Sequence, residues 1–149
     1  MKVVIGSDHL GWEHKEAIKE SLSDFSEFEV DDVGCYEPGA MVEYDAYAEL
    51  VGGFISNGSA DMGILICGAG HGMNQCVSKY AGVRAATCQH VSSAQMSRNH
   101  NNANVLCIAA KFVPETDAVF MAAFWLKFKF HGGRHQERLE RIAALEGGA

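Results

Sequence analysis

The residues best suited to chemistry in this chain lie in Ile64-Leu65-Ile66-Cys67-Gly68-Ala69-Gly70-His71-Gly72-Met73. An apolar run ends in a thiol, and glycine then recurs at every second position. Glycine lets a backbone approach a ligand closely and turn its N–H groups toward an anion. A helix starting near His71 would add the positive end of its dipole and favour the thiolate form of Cys67. The spacing Gly-x-Gly-x-Gly differs from the dinucleotide fingerprint Gly-x-Gly-x-x-Gly. The same residues also fit a plain glycine-rich turn beside an inert core cysteine.

Three further clusters carry polar chemistry. Gly6-Ser7-Asp8-His9 follows the first apolar run and suits ligand contact, or else Asp8 simply caps a helix beside a surface histidine. Arg98-Asn99-His100-Asn101-Asn102-Ala103-Asn104 reads as a polar loop between helix and strand, with asparagines that tolerate left-handed backbone. Within it His100 suits a proton shuttle, because histidine titrates near neutrality. In Gly132-Gly133-Arg134-His135-Gln136-Glu137-Arg138 the two arginines are four residues apart and share a helix face. Two guanidinium groups there suit a phosphate; the alternative is that they pair with Glu137 and Glu140.

The elements that must hold these residues alternate along the chain. Residues 2–6, 28–33, 62–67, 82–88 and 104–109 read as strands. Residues 12–22, 44–55, 92–99, 116–130 and 134–145 read as helices, the last with Leu139, Ile142 and Leu145 on one face. Five strands alternating with helices imply a three-layer α/β/α sandwich around a mainly parallel sheet. Such sheets bind ligands in the crevice beyond the carboxyl ends of their strands. That places function just after Gly6, just after Cys67 and after the later strands. The last helix could close the same domain or lie across a partner subunit. The tail Glu146-Gly147-Gly148-Ala149 is expected to fray.

Composition narrows the function classes. The 149 residues suit one domain, 1–149, and 48% hydrophobic with 21% charged residues is ordinary for a soluble protein. No apolar run reaches the roughly 20 residues that span a bilayer, and Met1 leads directly into an apolar run, so a cytoplasmic protein is expected. A net charge of −7 disfavours nucleic acid as a partner. The odd count of five cysteines argues against a disulfide framework, and the lack of a Cys-x-x-Cys pair argues against a structural zinc site.

Together these stretches resemble the type B ribose-5-phosphate isomerases, a family that includes galactose-6-phosphate and allose-6-phosphate isomerases. The resemblance runs from Met1 to about Leu145 and rests on Gly6-Ser7-Asp8-His9-Leu10-Gly11, Gly63-Ile64-Leu65-Ile66-Cys67-Gly68-Ala69-Gly70, Ser93-Ala94-Gln95-Met96-Ser97-Arg98-Asn99-His100-Asn101 and Gly132-Gly133-Arg134-His135-Gln136. It implies a Rossmann-like sheet, no metal and no nucleotide cofactor. It also implies a homodimer whose sites lie between subunits, and dimers could pair further. The family's catalytic cysteine falls on Cys67, its ring-opening histidine on His100 and its phosphate-binding arginines on Arg134 and Arg138. Substrate contacts fall on Asp8, His9, Tyr44, Asn101, Lys111 and the loop Gly68, Ala69, Gly70, His71 and Gly72. The chain departs from the commonest pattern at Ala69 (often Thr or Ser), His71 (small or apolar), Ser92 (often Tyr) and Lys111 (usually Arg). A glutamate that serves as base in some members is replaced by Met73.

The expected reaction interconverts ribose 5-phosphate and ribulose 5-phosphate by proton transfer through an enediolate. Cys67 would act as base and His100 would assist ring opening. The alternatives are another sugar phosphate (hexose, tetrose or other pentose) and a non-catalytic sugar-phosphate-binding subunit.

Overall fold

The computed structural model describes residues 1–146. Strand β1 (Lys2–Ser7) passes through a 3-10 turn at His9–Gly11 into α1 (Trp12–Ser23). Then come β2 (Glu29–Asp32), α2 (Tyr44–Ser56), β3 (Met62–Cys67), α3 (His71–Val77), β4 (Ala85–Cys88) and α4 (Val91–Asn101). Strand β5 (Val105–Ala109), α5 (Glu115–Lys127) and α6 (Arg134–Glu146) complete the order. The strands form one sheet in the order β2-β1-β3-β5-β4, and every neighbouring pair is parallel. The sandwich expected from the alternation is present, its sheet wholly parallel and Rossmann-like.

Side-chain alternation along the strands divides the core in two. Val3, Ile5, Ile64, Ile66, Leu106 and Ile108 face α1, α4 and α5, meeting Ile18, Ala94, Met121 and Trp125. Val4, Leu65, Cys67, Val105 and Cys107 face α2 and α3, meeting Ala48, Val51, Met73 and Val77. All six residues of β3 are buried, as are all five of its neighbour β5, so the strand that ends in Cys67 lies in the enclosed centre of the sheet. After β1 the chain turns to the α1 layer, and after β3 it turns to the α3 layer on the opposite face. The adjacent carboxyl ends of β1 and β3 therefore open a crevice, the switch point of this topology.

The differences from the sequence-based expectation have local causes. The helix expected over 116–130 stops at Lys127, because Phe128 is extended (φ −67°, ψ 142°) and Phe128-Lys129-Phe130 alternates half-buried with exposed residues. The strand expected over 82–88 begins at Ala85, since Gly82 turns at φ +75°. Helix α4 runs to Asn101, so Arg98, Asn99, His100 and Asn101 form its last turn and not a loop; Asn102 takes the left-handed conformation after it. Of the tail expected to fray, Glu146 closes α6 and accepts a hydrogen bond from Gly82 N at 3.2 Å; residues 147–149 lie outside the described residues. No residue of α6 is buried. Among the described residues, no helix is long and apolar enough to cross a membrane.

Candidate active site

The crevice between β1 and β3 is built from backbone. Cys67 is the last residue of β3, only 5% exposed, and its Sγ accepts a hydrogen bond from Gly70 N at 3.2 Å. Gly70 holds the N-cap of α3 at φ +76°, and a Cβ there would sit 2.9 Å from Thr87 Cγ2. The loop can thus fold back on the thiol only with glycine at this position. Cys67 O and Gly68 O accept hydrogen bonds from Ala110 N and Lys111 N, at 2.9 and 3.0 Å, which ties the loop to the end of β5.

Around this loop the structure gathers most of the expected ligand contacts. The stem of Lys111 and Leu10 both pack on Gly68, and the Tyr44 ring lies over Gly72 so closely that a Cβ there would be 2.6 Å from Tyr44 Cζ. His71, exposed, and Ala69, half-buried, line the same loop. Asp8 N donates to Ile66 O at 3.1 Å, setting Asp8 beside the loop. The Asp8 carboxylate accepts from Leu10 N and Gly11 N at 2.9 and 3.1 Å, so the capping alternative is realised on the 3-10 turn. Burial pushes the Asp8 carboxyl up, and the amides of Gly11, Leu10 and Gly68 with the charge of His9 offset this only in part. His9 stands next to it, its Nδ1 buried without a partner among the described residues. Ser7, read only as part of the stretch 6–9, and Thr87 were not named as contacts: Ser7 Oγ is buried and unpaired among the described residues, and Thr87 donates its hydroxyl to Gly70 O at 3.3 Å. The rule that ligands sit at strand ends points to both, but neither residue type stands out alone.

A second group lies at the other end of the sheet. Cys67 pairs with Ala109 and Gly63 with Val105, so the two levels are separated by roughly 13 Å of strand. His100 and Asn101 end α4, which runs back from the end of β4 to the start of β5, at the level of Gly63. There His100 stacks on His135, with ring centroids 4.4 Å apart and planes 8° from parallel, and His131 approaches edge-on at 5.9 Å. Partial burial and the charges of His100, Arg134, Arg138 and His131 hold the His135 imidazole below its ordinary range. Arg134 and Arg138 are exposed, and neither pairs with Glu137 or Glu140. Glu140 accepts instead from Gln136 Nε2 at 3.0 Å. His131 and His135 join this group without having been singled out; the adjoining Gly132-Gly133-Arg134 is the signal that marks them.

Asp8, His9, Tyr44, Cys67, Gly68, Ala69, Gly70, His71, Gly72 and Lys111 therefore come together within one chain. His100, Asn101, Arg134 and Arg138 come together elsewhere. A groove of about 520 Å³ along α4 and the free edge of β4 runs from Thr87 and Cys88 to Asn101. Among the described residues, no three His, Cys, Asp or Glu side chains are grouped to hold a metal ion.

Comparison with known proteins shows what this chain is similar to. The chain is 39% identical over 145 residues to ribose-5-phosphate isomerase B of Escherichia coli, covering 97% of this chain and 96% of that protein. It superposes on the crystal structure of ribose-5-phosphate isomerase B from Mycoplasma genitalium with bound ribulose-5-phosphate at a TM-score of 0.94 and 37% identity, covering 99% of this chain and 97% of that one. The type B ribose 5-phosphate isomerase of Trypanosoma brucei aligns at a TM-score of 0.91 with 36% identity and 97% of each chain covered. With residues 3–142 matched by the family model described as Ribose/Galactose Isomerase, this chain belongs to that family.

Proposed function

We propose that this protein interconverts ribose 5-phosphate and ribulose 5-phosphate. The observation that carries the reading is the thiol of Cys67 at the switch-point crevice, held by the Gly70 amide at the head of a loop on which Tyr44 and Lys111 pack and beside which Asp8 is set. Its relatives named ribose-5-phosphate isomerase B, one with ribulose-5-phosphate bound, support the substrate pair.

Ring opening breaks the C1–O4 bond of the furanose: the C1 hydroxyl loses its proton as the aldehyde forms, and O4 gains one. His100 carries that proton traffic. The Cys67 thiolate then removes the proton from C2, giving a cis-enediolate, and returns it to C1, while the O2 proton passes to O1. Amides of residues 68–72 face the developing charge. Arg134 and Arg138 bind the phosphate and fix the reacting carbons against Cys67. No net redox change occurs.

Because the two groups of residues lie at opposite ends of one sheet, the working site combines the Cys67 end of one copy with the His100 end of another. The groove along β4 and α4, which spans both ends, is the place for the second chain to dock. In this reading residues 1–149 form one isomerase domain, α6 reaches the partner, and the dimer works in the cytoplasm. A second reading, another sugar phosphate, is favoured by Ala69, which brings no hydroxyl to the loop, and by the single-point cation of Lys111.

Proton NMR of ribose 5-phosphate in D₂O with catalytic protein tests the proposal. Ribulose 5-phosphate carrying deuterium at the exchanged carbon is the expected result. No conversion by folded protein, with conversion of a hexose phosphate, would transfer the reading to that sugar.

A further inference from the structure

His100 and Asn101 are the last two residues of α4, and what fixes their direction is the cap that follows. Asn102 takes φ 47° and ψ 40°, the left-handed conformation that asparagine tolerates better than most non-glycine residues, and here its side chain and carbonyl are also held. The holding groups are two arginines. Arg98 Nη1 donates to Asn102 Oδ1 at 2.9 Å and to Ala103 O at 2.6 Å. Arg84, in the approach to β4, donates from Nε to Asn102 O at 2.7 Å. The Arg98 guanidinium lies 5.8 Å from the ring centre of the buried Trp125, whose Nε1 donates to Ser97 Oγ at 3.2 Å.

Neither arginine forms an ion pair among the described residues. Their charges are directed at carbonyl groups at the negative end of α4, where a helix usually ends on glycine. The same turn also reaches the phosphate-binding segment, because Asn99 O accepts from His131 N at 3.0 Å. The cap thus acts on the two residues that precede it.

We propose that Arg98 is the positioning residue of His100: it locks the left-handed cap of α4 and so aims the imidazole that opens the sugar ring. The proposal rests on the ring-opening role given to His100 above. Ribulose 5-phosphate has no ring to open, since its C5 oxygen carries the phosphate. Conversion of ribose 5-phosphate therefore needs His100, whereas exchange of the ribulose 5-phosphate C1 proton with D₂O needs Cys67 and the phosphate-binding arginines but no ring-opening group.

The test measures both reactions in Arg98→Met, Arg98→Lys, His100→Ala and the double variant Arg98→Met/His100→Ala. A misplaced catalytic group costs up to about 100-fold, so Arg98→Met should lose conversion on that scale while exchange stays within roughly threefold of the parent. Arg98→Lys should recover part of the loss, and it carries the comparison if the methionine variant does not fold. The double variant should convert no more slowly than His100→Ala, because both changes remove one function. Parallel loss of conversion and exchange in the methionine and lysine variants would make Arg98 merely structural and overturn the proposal. Additive loss in the double variant would overturn it while leaving the proposed function intact. Full conversion by His100→Ala would overturn both this inference and the role of His100.

Discussion

Two carboxylates, Asp8 buried and Asp32 half-buried, close neighbouring strands of the sheet, and the protein treats them in opposite ways. Asp32 ends β2 and accepts hydrogen bonds from Lys15 Nζ at 2.6 Å, from Lys19 Nζ and from Gly34 N at 2.9 Å. Burial pushes its carboxyl up, but these donors outweigh burial and hold it below its ordinary range. Asp8 follows β1 and receives only backbone amides at the carboxylate, so burial wins and its carboxyl is raised. The first is a structural clasp between α1 and β2. The second is a carboxyl placed where solvation is poor and, among the described residues, no lysine pairs with it, an arrangement of the kind found where a group must act on a ligand.

Asp32→Asn should give the largest loss of stability. It leaves Lys15, whose side chain is fully buried, with only the half-exposed Glu16 as an acidic partner. Removing one partner of a buried pair costs about 3 kcal/mol, readable as a lower urea midpoint with activity per folded molecule retained. A variant as stable as the parent would erase the contrast.

Asp8→Asn tests the other side. Asn keeps the acceptor for Leu10 N and Gly11 N but removes the group whose ionised form burial penalises, so Tm should rise at neutral pH. Conversion of ribose 5-phosphate should fall roughly 100-fold if the carboxylate takes part in proton transfer or substrate binding. A fall in Tm with activity preserved would make Asp8 a cap only.

The pH dependence should separate the two by sign. The folded pKa of Asp32 is depressed, so its contribution is complete above the unfolded pKa and is lost as pH falls through the folded value. Asp8, with a raised folded pKa, gives its full contribution below the unfolded pKa and loses it as pH rises through the folded one. Urea titrations from neutral to acid pH should show a shallower acid loss in Asp32→Asn than in the parent, and a steeper one in Asp8→Asn. Equal slopes in all three proteins would contradict both assignments.

The smallest effect is expected at Lys111, whose stem lies on Gly68. Its ammonium forms no ion pair among the described residues, which leaves it for the ligand. Lys111→Met should raise KM about tenfold by removing one charge-assisted contact and leave the carbon-13 titration of the Asp8 carboxyl in place. A shift of that titration would join Lys111 to Asp8 as a pair and blur the distinction.

The site was legible in the sequence to the extent that it is made of contiguous backbone. The alternation of apolar runs located every strand and predicted the sandwich, and the rule for strand ends placed Asp8 and Cys67 at one crevice. Residues 98–101 were less legible: their polar composition reads as loop, while Ala94 and Ser97, packed in the interior, and the Arg98 cap keep them helical. The end of α5 was misjudged because apolar residues at 128 and 130 continue a helical pattern that the backbone abandons.

What the sequence determined alone was the kind of element, the order of elements and the chemistry available at each turn, since these follow from periodicity and residue type over a few neighbours. Tertiary structure decided that Cys67 and His100 lie at opposite ends of the sheet, that Thr87 supports the Gly70 turn, and that Asp8 and Asp32 titrate in opposite directions. Those outcomes depend on strand order and on which distant groups share a buried space, and neither quantity is written in local spacing.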